Sequence, residues 1–390
     1  MKIEQQHIET IRKQFADMQS KEDLVALLNT ANSILFGENC KPVLLQSLNY
    51  YANPTICKKR YSQFSVKKKN GGVRIINAPV SGLKSILKSL NFILQCIYEP
   101  HKAATGFVIN KSIVDNAKFH TSRLYVYNID LKDFFHSFDR NRVKMGFMYE
   151  PFNLAGQREP LAFLLASLCT HPFEVEGSTQ TVLPQGSPTS PTITNIVCSK
   201  LDHRLNGLAK RFKIRYSRYA DDITFSSQYS IFKSDEFLEE LHRIIEKNQG
   251  LVINPTKTRL QKSTYRQEVT GLVVNEKANV TRRYVKQLRM WLYYWEKYGY
   301  VKGEQIFLRD YVSDKGHVKN GKPNFVNVLD GKLEYLKMVK GKDNSTYLKL
   351  IERLDKLNEE VDPLVLILDI WEKDGIAKAM KSFYSKSIDL

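Results

Sequence analysis

The residues best suited to chemistry are acids. Tyr219-Ala220-Asp221-Asp222 sits between Tyr216 and Ile223/Phe225, so two adjacent carboxylates stand at the tip of a strand-like run. Like charges held close repel and raise each other's pKa, and a divalent cation removes that cost. A lone Asp-Asp pair is more often a solvated turn. A second acid, Asp130, ends the apolar run Leu124-Tyr-Val-Tyr-Asn-Ile and opens Asp130-Leu-Lys-Asp-Phe-Phe135 about ninety residues upstream. Strand-end acids from distant segments can converge on one site. In two-metal catalysis such carboxylates hold ions about 3.5–4 Å apart: one activates an attacking hydroxyl, the other stabilises the leaving group. Mg²⁺ suits the task, because it prefers oxygen ligands and keeps several waters.

Elements must position these acids. Between them lies Leu183-Pro-Gln-Gly-Ser-Pro-Thr-Ser-Pro191, a proline- and glycine-bearing loop ahead of a helical stretch, whose backbone could approach a nucleotide closely; an ordinary loop before a helix is the plainer reading. Tyr61–Pro79 reads as a β-hairpin around Asn70-Gly71-Gly72. Residues 1–50 and Ser81–Tyr98 carry helical periodicity, and Leu161–Cys169 is a buried helix or strand that periodicity does not decide. Pro191–Lys210 predicts one long helix, Ile214–Ser226 a strand pair turning at Ala220–Asp222, and Glu236–Asn248 an amphipathic helix closed by Gly250.

The chain of 390 residues carries 59 Lys plus Arg against 41 Asp plus Glu, a net +18, which points to a polyanion partner; 20 Tyr and 20 Phe add stacking surfaces. Residues 251–360 hold 22 Lys/Arg against 13 Asp/Glu, with Trp291, Tyr293, Tyr294, Trp295, Tyr298 and Tyr300 among them. From about residue 280 this reads as a separate, mostly helical nucleic-acid-binding module, with Asp314–Pro323 as an exposed loop. Five cysteines without a CxxC argue against a disulfide framework or zinc ribbon and fit a reducing, cytoplasmic compartment. No apolar run of about 18 residues predicts a membrane span.

Ile129-Asp-Leu-Lys-Asp-Phe-Phe135, the Leu183–Pro191 loop and Tyr219-Ala-Asp-Asp222 resemble, in order and spacing, palm motifs A, B and C of reverse transcriptases. Val73–Pro79 resembles the fingers motif and Gly250–Thr258 motif D. Asn116-Ala-Lys-Phe-His120 and Val269-Thr270-Gly271 are similar to two signatures of the retron type. The resemblance spans roughly residues 55–300. It implies an α+β right-hand polymerase fold: an N-terminal helical region (1–50), fingers (51–125), a palm with interleaved fingers segments and an antiparallel sheet packed on helices (126–278), and a basic, mostly helical thumb (279–390).

The resemblance also implies roles. Asp130 and Asp221 become metal ligands for two Mg²⁺ ions, with Asp222 the adjacent acid. Phe135 takes the place of the steric gate against a ribose 2′-OH; Gln185 lines the nucleotide pocket; Arg74, with Lys67–Lys69, grips the triphosphate; Lys257 donates a proton to pyrophosphate. Asn116, His120, Thr270 and Gly271 are grouped with RNA recognition. For the first two, a cap or a satisfied polar contact is the plainer reading; for the last two, a tight backbone near the primer or template RNA. Arg282, Arg283, Lys286 and Arg289 are expected on RNA phosphates, whereas helical spacing favours core packing for Trp291 and Trp295. The implied activity copies part of a cognate structured non-coding RNA into DNA from dNTPs, giving a branched RNA–DNA hybrid, in an anti-phage retron with an effector protein.

Other readings differ at named features. A group II intron enzyme needs a long basic extension after the thumb; a diversity-generating enzyme is the other prokaryotic alternative. A palm-fold protein that only binds RNA beside a toxin or nuclease does not need Asp130, Asp221 and Asp222. An RNA-dependent RNA polymerase usually has a small residue in place of Phe135.

Overall fold

A computed structural model describes residues 4–67, 72–175, 177–315, 323–360, 371 and 375–380. Backbone contacts divide the chain into two compact units, one ending at Glu276 and the other starting at Lys277, with 271–273 assigned to the second.

The first unit opens with α1 (Gln5–Asp17), α2 (Lys21–Phe36) and α3 (Leu45–Ala52). Ser20 caps α2 and Asp23 returns a bond to the Ser20 backbone, which satisfies amide groups the helix cannot. The hairpin follows as β1 (Tyr61–Lys67) and β2 (Val73–Pro79), paired antiparallel with Val66 opposite Arg74; Asn70 and Gly71 of its turn lie outside the described residues. Helix α4 (Ser81–Ile97) buries Leu83, Ile86, Leu87, Leu90 and Ile93 at helical spacing. Each such side chain contributes about 1.5–3 kcal/mol.

Next come α5 (Ile113–Lys118), β3 (Tyr125–Asp130), α6 (Arg140–Met148), α7 (Glu159–Cys169), the small hairpin β4 (His171–Val175) and β5 (Ser178–Val182), α8 (Ser190–Val197) and α9 (Ser199–Arg211). Leu161–Cys169 is therefore helix: it has Pro160 in its first turn and buries every residue of that span except Phe163. The single helix expected over Pro191–Lys210 is two, broken at Cys198, where the β-branched run Thr192-Ile-Thr-Asn-Ile-Val197 holds helical geometry weakly.

Strands β6 (Arg215–Tyr219) and β7 (Asp222–Ser227) form the expected pair, followed by α10 (Asp235–His242), which runs on into a π-helical turn, Arg243–Lys247, before Gly250 at φ +62°. Strand β8 (Arg259–Lys262) completes a four-stranded antiparallel sheet in the order β6-β7-β3-β8. Its register sets Asp130 opposite Asp222.

In the second unit, α11 (Arg282–Lys315) is two helical stretches meeting at Gly299 (φ +81°), followed by α12 (Phe325–Lys340) and α13 (Ser345–Glu360). Trp291 and Trp295 are buried, and Trp291 packs edge-on to Phe307, which stacks on Phe325 with centroids 4.9 Å apart. Both tryptophans are thus core, as their spacing suggested. Of the loop expected over Asp314–Pro323, Asp314 and Lys315 belong to α11 and residues 316–322 lie outside those described.

Candidate active site

The pairing of β3 with β7 does what the sequence only allowed: it brings acids some ninety residues apart to one end of one sheet. Asp130 and Asp221 line a cleft of about 430 Å³ together with Arg74, Phe135, Gln185 and Lys257. Six residues predicted from distant segments therefore share one cavity. Asp222 does not line it.

Burial, and then the Asp130 charge, raise the Asp221 carboxyl above its usual value; Lys257 and Arg74 pull the other way. Asp222 is pushed up to about 6 by burial, then by Asp221 and Asp130. Burial and neighbouring carboxylates thus raise both Asp221 and Asp222, which leaves this end of the sheet short of positive charge, and positive charge is what a hard divalent cation supplies. Among the described residues no group of three or more His, Cys, Asp or Glu could hold a metal ion by itself. Mg²⁺ does not need one, since it binds through one or two carboxylates plus waters and substrate phosphates.

Each cleft residue is held by its own element. Asp130 is buried, and its carboxylate accepts from Lys257 Nζ at 2.9 and 3.0 Å and from Asn254 Nδ2 at 3.0 Å. The Asn254 backbone N–H donates to the Asp130 carbonyl, so one segment fixes both ends of that residue. Lys257, expected on pyrophosphate, thus rests on a cleft carboxylate. Gln185 is fixed through its carbonyl, which accepts from Asn77 N–H at 2.8 Å. Gly186 has φ +126°, and a Cβ there would lie 2.7 Å from the Asn77 carbonyl oxygen, so only glycine fits. Phe135 is half-buried, its ring edge-on to Phe134. Arg74 is exposed on β2; Lys68, Lys69 and the Lys67 side chain lie outside the described residues.

The RNA-recognition group divides. Asn116 and His120 are fully buried and offer RNA no surface, which corrects that expectation. Asn116 Oδ1 accepts from Thr105 Oγ1 and Ser217 Oγ, and His120 bridges Ser226 Oγ and Ser217 Oγ, both at 2.7 Å. Burial, then Arg215 and Arg123, lowers the His120 pKa to about 3, so the ring is neutral. Thr270 (φ +47°) and Gly271 (φ +81°) form the tight backbone foreseen for them, with Thr270 Oγ1 donating to the Ile113 carbonyl. Arg282, Arg283, Lys286 and Arg289 are exposed on α11.

A network behind the β6–β7 hairpin went unread in the sequence. Arg218 is fully buried and donates to both Asp202 oxygens at 2.7 Å, to Asn195 Oδ1 at 3.1 Å and to the Ala220 carbonyl at 3.1 Å. Burial opposes its charge, but Asp202 more than compensates and holds the guanidinium above its usual range. Ala220 itself is left-handed at φ +57°, and the Arg218 bond braces it one residue before Asp221. Only an arginine beside the Tyr-Ala-Asp-Asp run hinted at this; nothing in the sequence pairs it with Asp202.

Acids at the end of one antiparallel sheet, with a glycine-locked loop and an aromatic lining the same cleft, make the arrangement that a palm-type polymerase would use. The chain belongs to the reverse transcriptase (RNA-dependent DNA polymerase) family, which matches residues 66–274, and within it to the retron type. It is 33% identical over 291 residues to the retron Mx65 reverse transcriptase of Myxococcus xanthus, covering 72% of this chain and 62% of that one. It is 37% identical over 257 residues to the retron Mx162 reverse transcriptase of the same organism, covering 59% and 51%. With the retron Ec86 reverse transcriptase of Escherichia coli it shares 29% over 305 residues, 76% of this chain and 82% of that one. The chain thus spans less than two thirds of the two Myxococcus relatives. The fold is the right-hand polymerase fold, and the family uses divalent metal ions. Among the described residues no helix is long and apolar enough to cross a membrane.

Proposed function

We propose that this protein is an RNA-directed DNA polymerase that copies part of a cognate structured non-coding RNA into DNA, leaving a branched RNA–DNA hybrid, as one component of an anti-phage retron with an effector protein. The observation that carries the reading is the shared cleft of Asp130, Asp221, Arg74, Gln185 and Phe135. Residues 51–125 serve as fingers, 126–278 as palm and 279–390 as thumb.

Asp130 and Asp221 would hold two Mg²⁺ ions, with Asp222 as the adjacent acid. Bound there, the metal would supply activation of an attacking hydroxyl and charge neutralisation at the leaving pyrophosphate. Arg74 meets the triphosphate of the incoming dNTP, Gln185 borders its base and sugar, and Phe135 occupies the space a 2′-OH would need. Lys257, once released from Asp130, is placed to protonate pyrophosphate. Exposed Arg282, Arg283, Lys286 and Arg289 contact RNA phosphates, and Thr270 and Gly271 shape the backbone near the template.

The experiment supplies purified protein with Mg²⁺, dNTPs and the RNA transcribed beside its gene. A DNA product joined to that RNA through a linkage cleaved by a 2′,5′-debranching nuclease is expected, and none from Asp221→Asn. DNA made only from an added oligonucleotide primer would leave a reverse transcriptase but remove the retron product.

A further inference from the structure

We propose that Phe107 is a substrate contact: with Tyr219 it forms the aromatic floor on which the last base pair of the primer–template hybrid rests. The inference depends on the polymerase reading above.

Phe107 has φ +61°, a left-handed conformation that crowds any residue with a Cβ and that bulky side chains rarely adopt. Core burial does not compensate, because the residue is 42% exposed. The segment leading into Phe107 is pinned by its neighbours. The Thr105 N–H donates to the Arg218 carbonyl and the Arg218 N–H to the Ala103 carbonyl, each at 2.8 Å, which sews this loop to β6. Asn195 Nδ2 donates to the Gly106 carbonyl at 2.9 Å. A Cβ on Gly106 would stand 2.6 Å from the Ala220 backbone nitrogen, so the loop lies directly against the turn that carries Asp221. The outcome is a ring held open to the catalytic cleft, its centroid 6.2 Å from that of Tyr219. Strained, exposed side chains over-determined by their surroundings concentrate where ligands bind.

Charge selects the part of the ligand. Phosphates are drawn to Arg74 and Lys257 elsewhere in the cleft, whereas two uncharged rings beside the carboxylates suit bases and sugars. The incoming nucleotide is read by Phe135, Gln185 and Arg74, which leaves the terminal base pair, whose 3′-hydroxyl must reach Asp130 and Asp221, for Phe107 and Tyr219.

The test compares Phe107→Gly and Phe107→Trp with wild type on a primed RNA template, with melting temperature, primer–template affinity and KM for dNTP measured on each. Glycine relieves the strain and removes the ring, so Phe107→Gly should hold or raise the melting temperature. Its primer–template affinity should fall about tenfold while KM for dNTP stays within about twofold. Phe107→Trp should bind the hybrid about as wild type does. A lower melting temperature for Phe107→Gly would make the ring packing, and unchanged hybrid affinity, or a loss confined to KM for dNTP, would equally overturn the proposal. Asp221→Asn, run alongside, should bind the hybrid and fail to extend it. Extension by that variant would defeat the polymerase reading independently of Phe107.

Discussion

The two sides of the β6–β7 tip treat charge in opposite ways. Behind it, the Arg218 guanidinium and Asp202 carboxylate are fully buried and matched to each other at 2.7 Å, with Tyr216 Oη also donating to Asp202. In front, Asp221 and Asp222 carry raised pKa values, and the cation on Asp130 is Lys257, itself half-exposed. The fold supplies every partner at the back and leaves the front short of positive charge. Charges completed by the protein serve stability, and charges left incomplete await a ligand.

The sharpest way to break this contrast is to neutralise one charge on each side. Asp221→Asn should reduce primer extension by a factor on the order of a thousand or more while leaving the melting temperature unchanged or raised, since it removes repulsion the fold never needed. Residual extension near wild type, or a lowered melting point, would erase the distinction. Asp202→Asn should do the reverse: with Arg218 left buried and uncompensated, folding stability should drop by about 3–5 kcal/mol in urea titrations. A cost too small to resolve would mean that the pair is not what holds the tip.

A milder probe uses pH. The His120 pKa is lowered to about 3 in the fold, against about 6.5 for an unfolded chain. Below pH 6.5 the unfolded state takes up the proton first, so stability falls as pH drops from 6.5 toward 3, by about 2 kcal/mol at pH 5 from this group. His120→Gln should flatten that part of the profile; identical slopes in both proteins would remove His120 from it. The smallest effect concerns sugar choice. Phe135→Val should raise rNTP use relative to dNTP by roughly tenfold, and unchanged discrimination would leave Phe135 as packing beside Phe134.

The same contrast explains what was legible. Front-side residues sit in short ordered motifs at the ends of β-rich runs, so Asp130, Gln185 and Asp221 could be singled out one by one and are found lining one cleft, and the β1–β2 and β6–β7 pairs followed from β-rich runs around turn residues. Back-side residues acquire meaning only through partners: Asp202 looks like any helix-surface acid until α9 turns it toward Arg218. Asn116 and His120 were noticed as a motif but misplaced as RNA contacts, because a short polar pattern does not say which face of the sheet it meets. The break at Cys198 was invisible for a different reason, since weak helical preference shortens a helix only when packing permits.

The bond from Asn77 N–H to the Gln185 carbonyl, with Gly186 pressed against the Asn77 backbone, has an entropic meaning as well. It ties the strand bearing Arg74 to the loop bearing Gln185, so these two walls of the cleft are indexed to each other by backbone contacts alone. A wall tied in this way is ordered once, during folding, and costs no further ordering when a ligand enters the cleft.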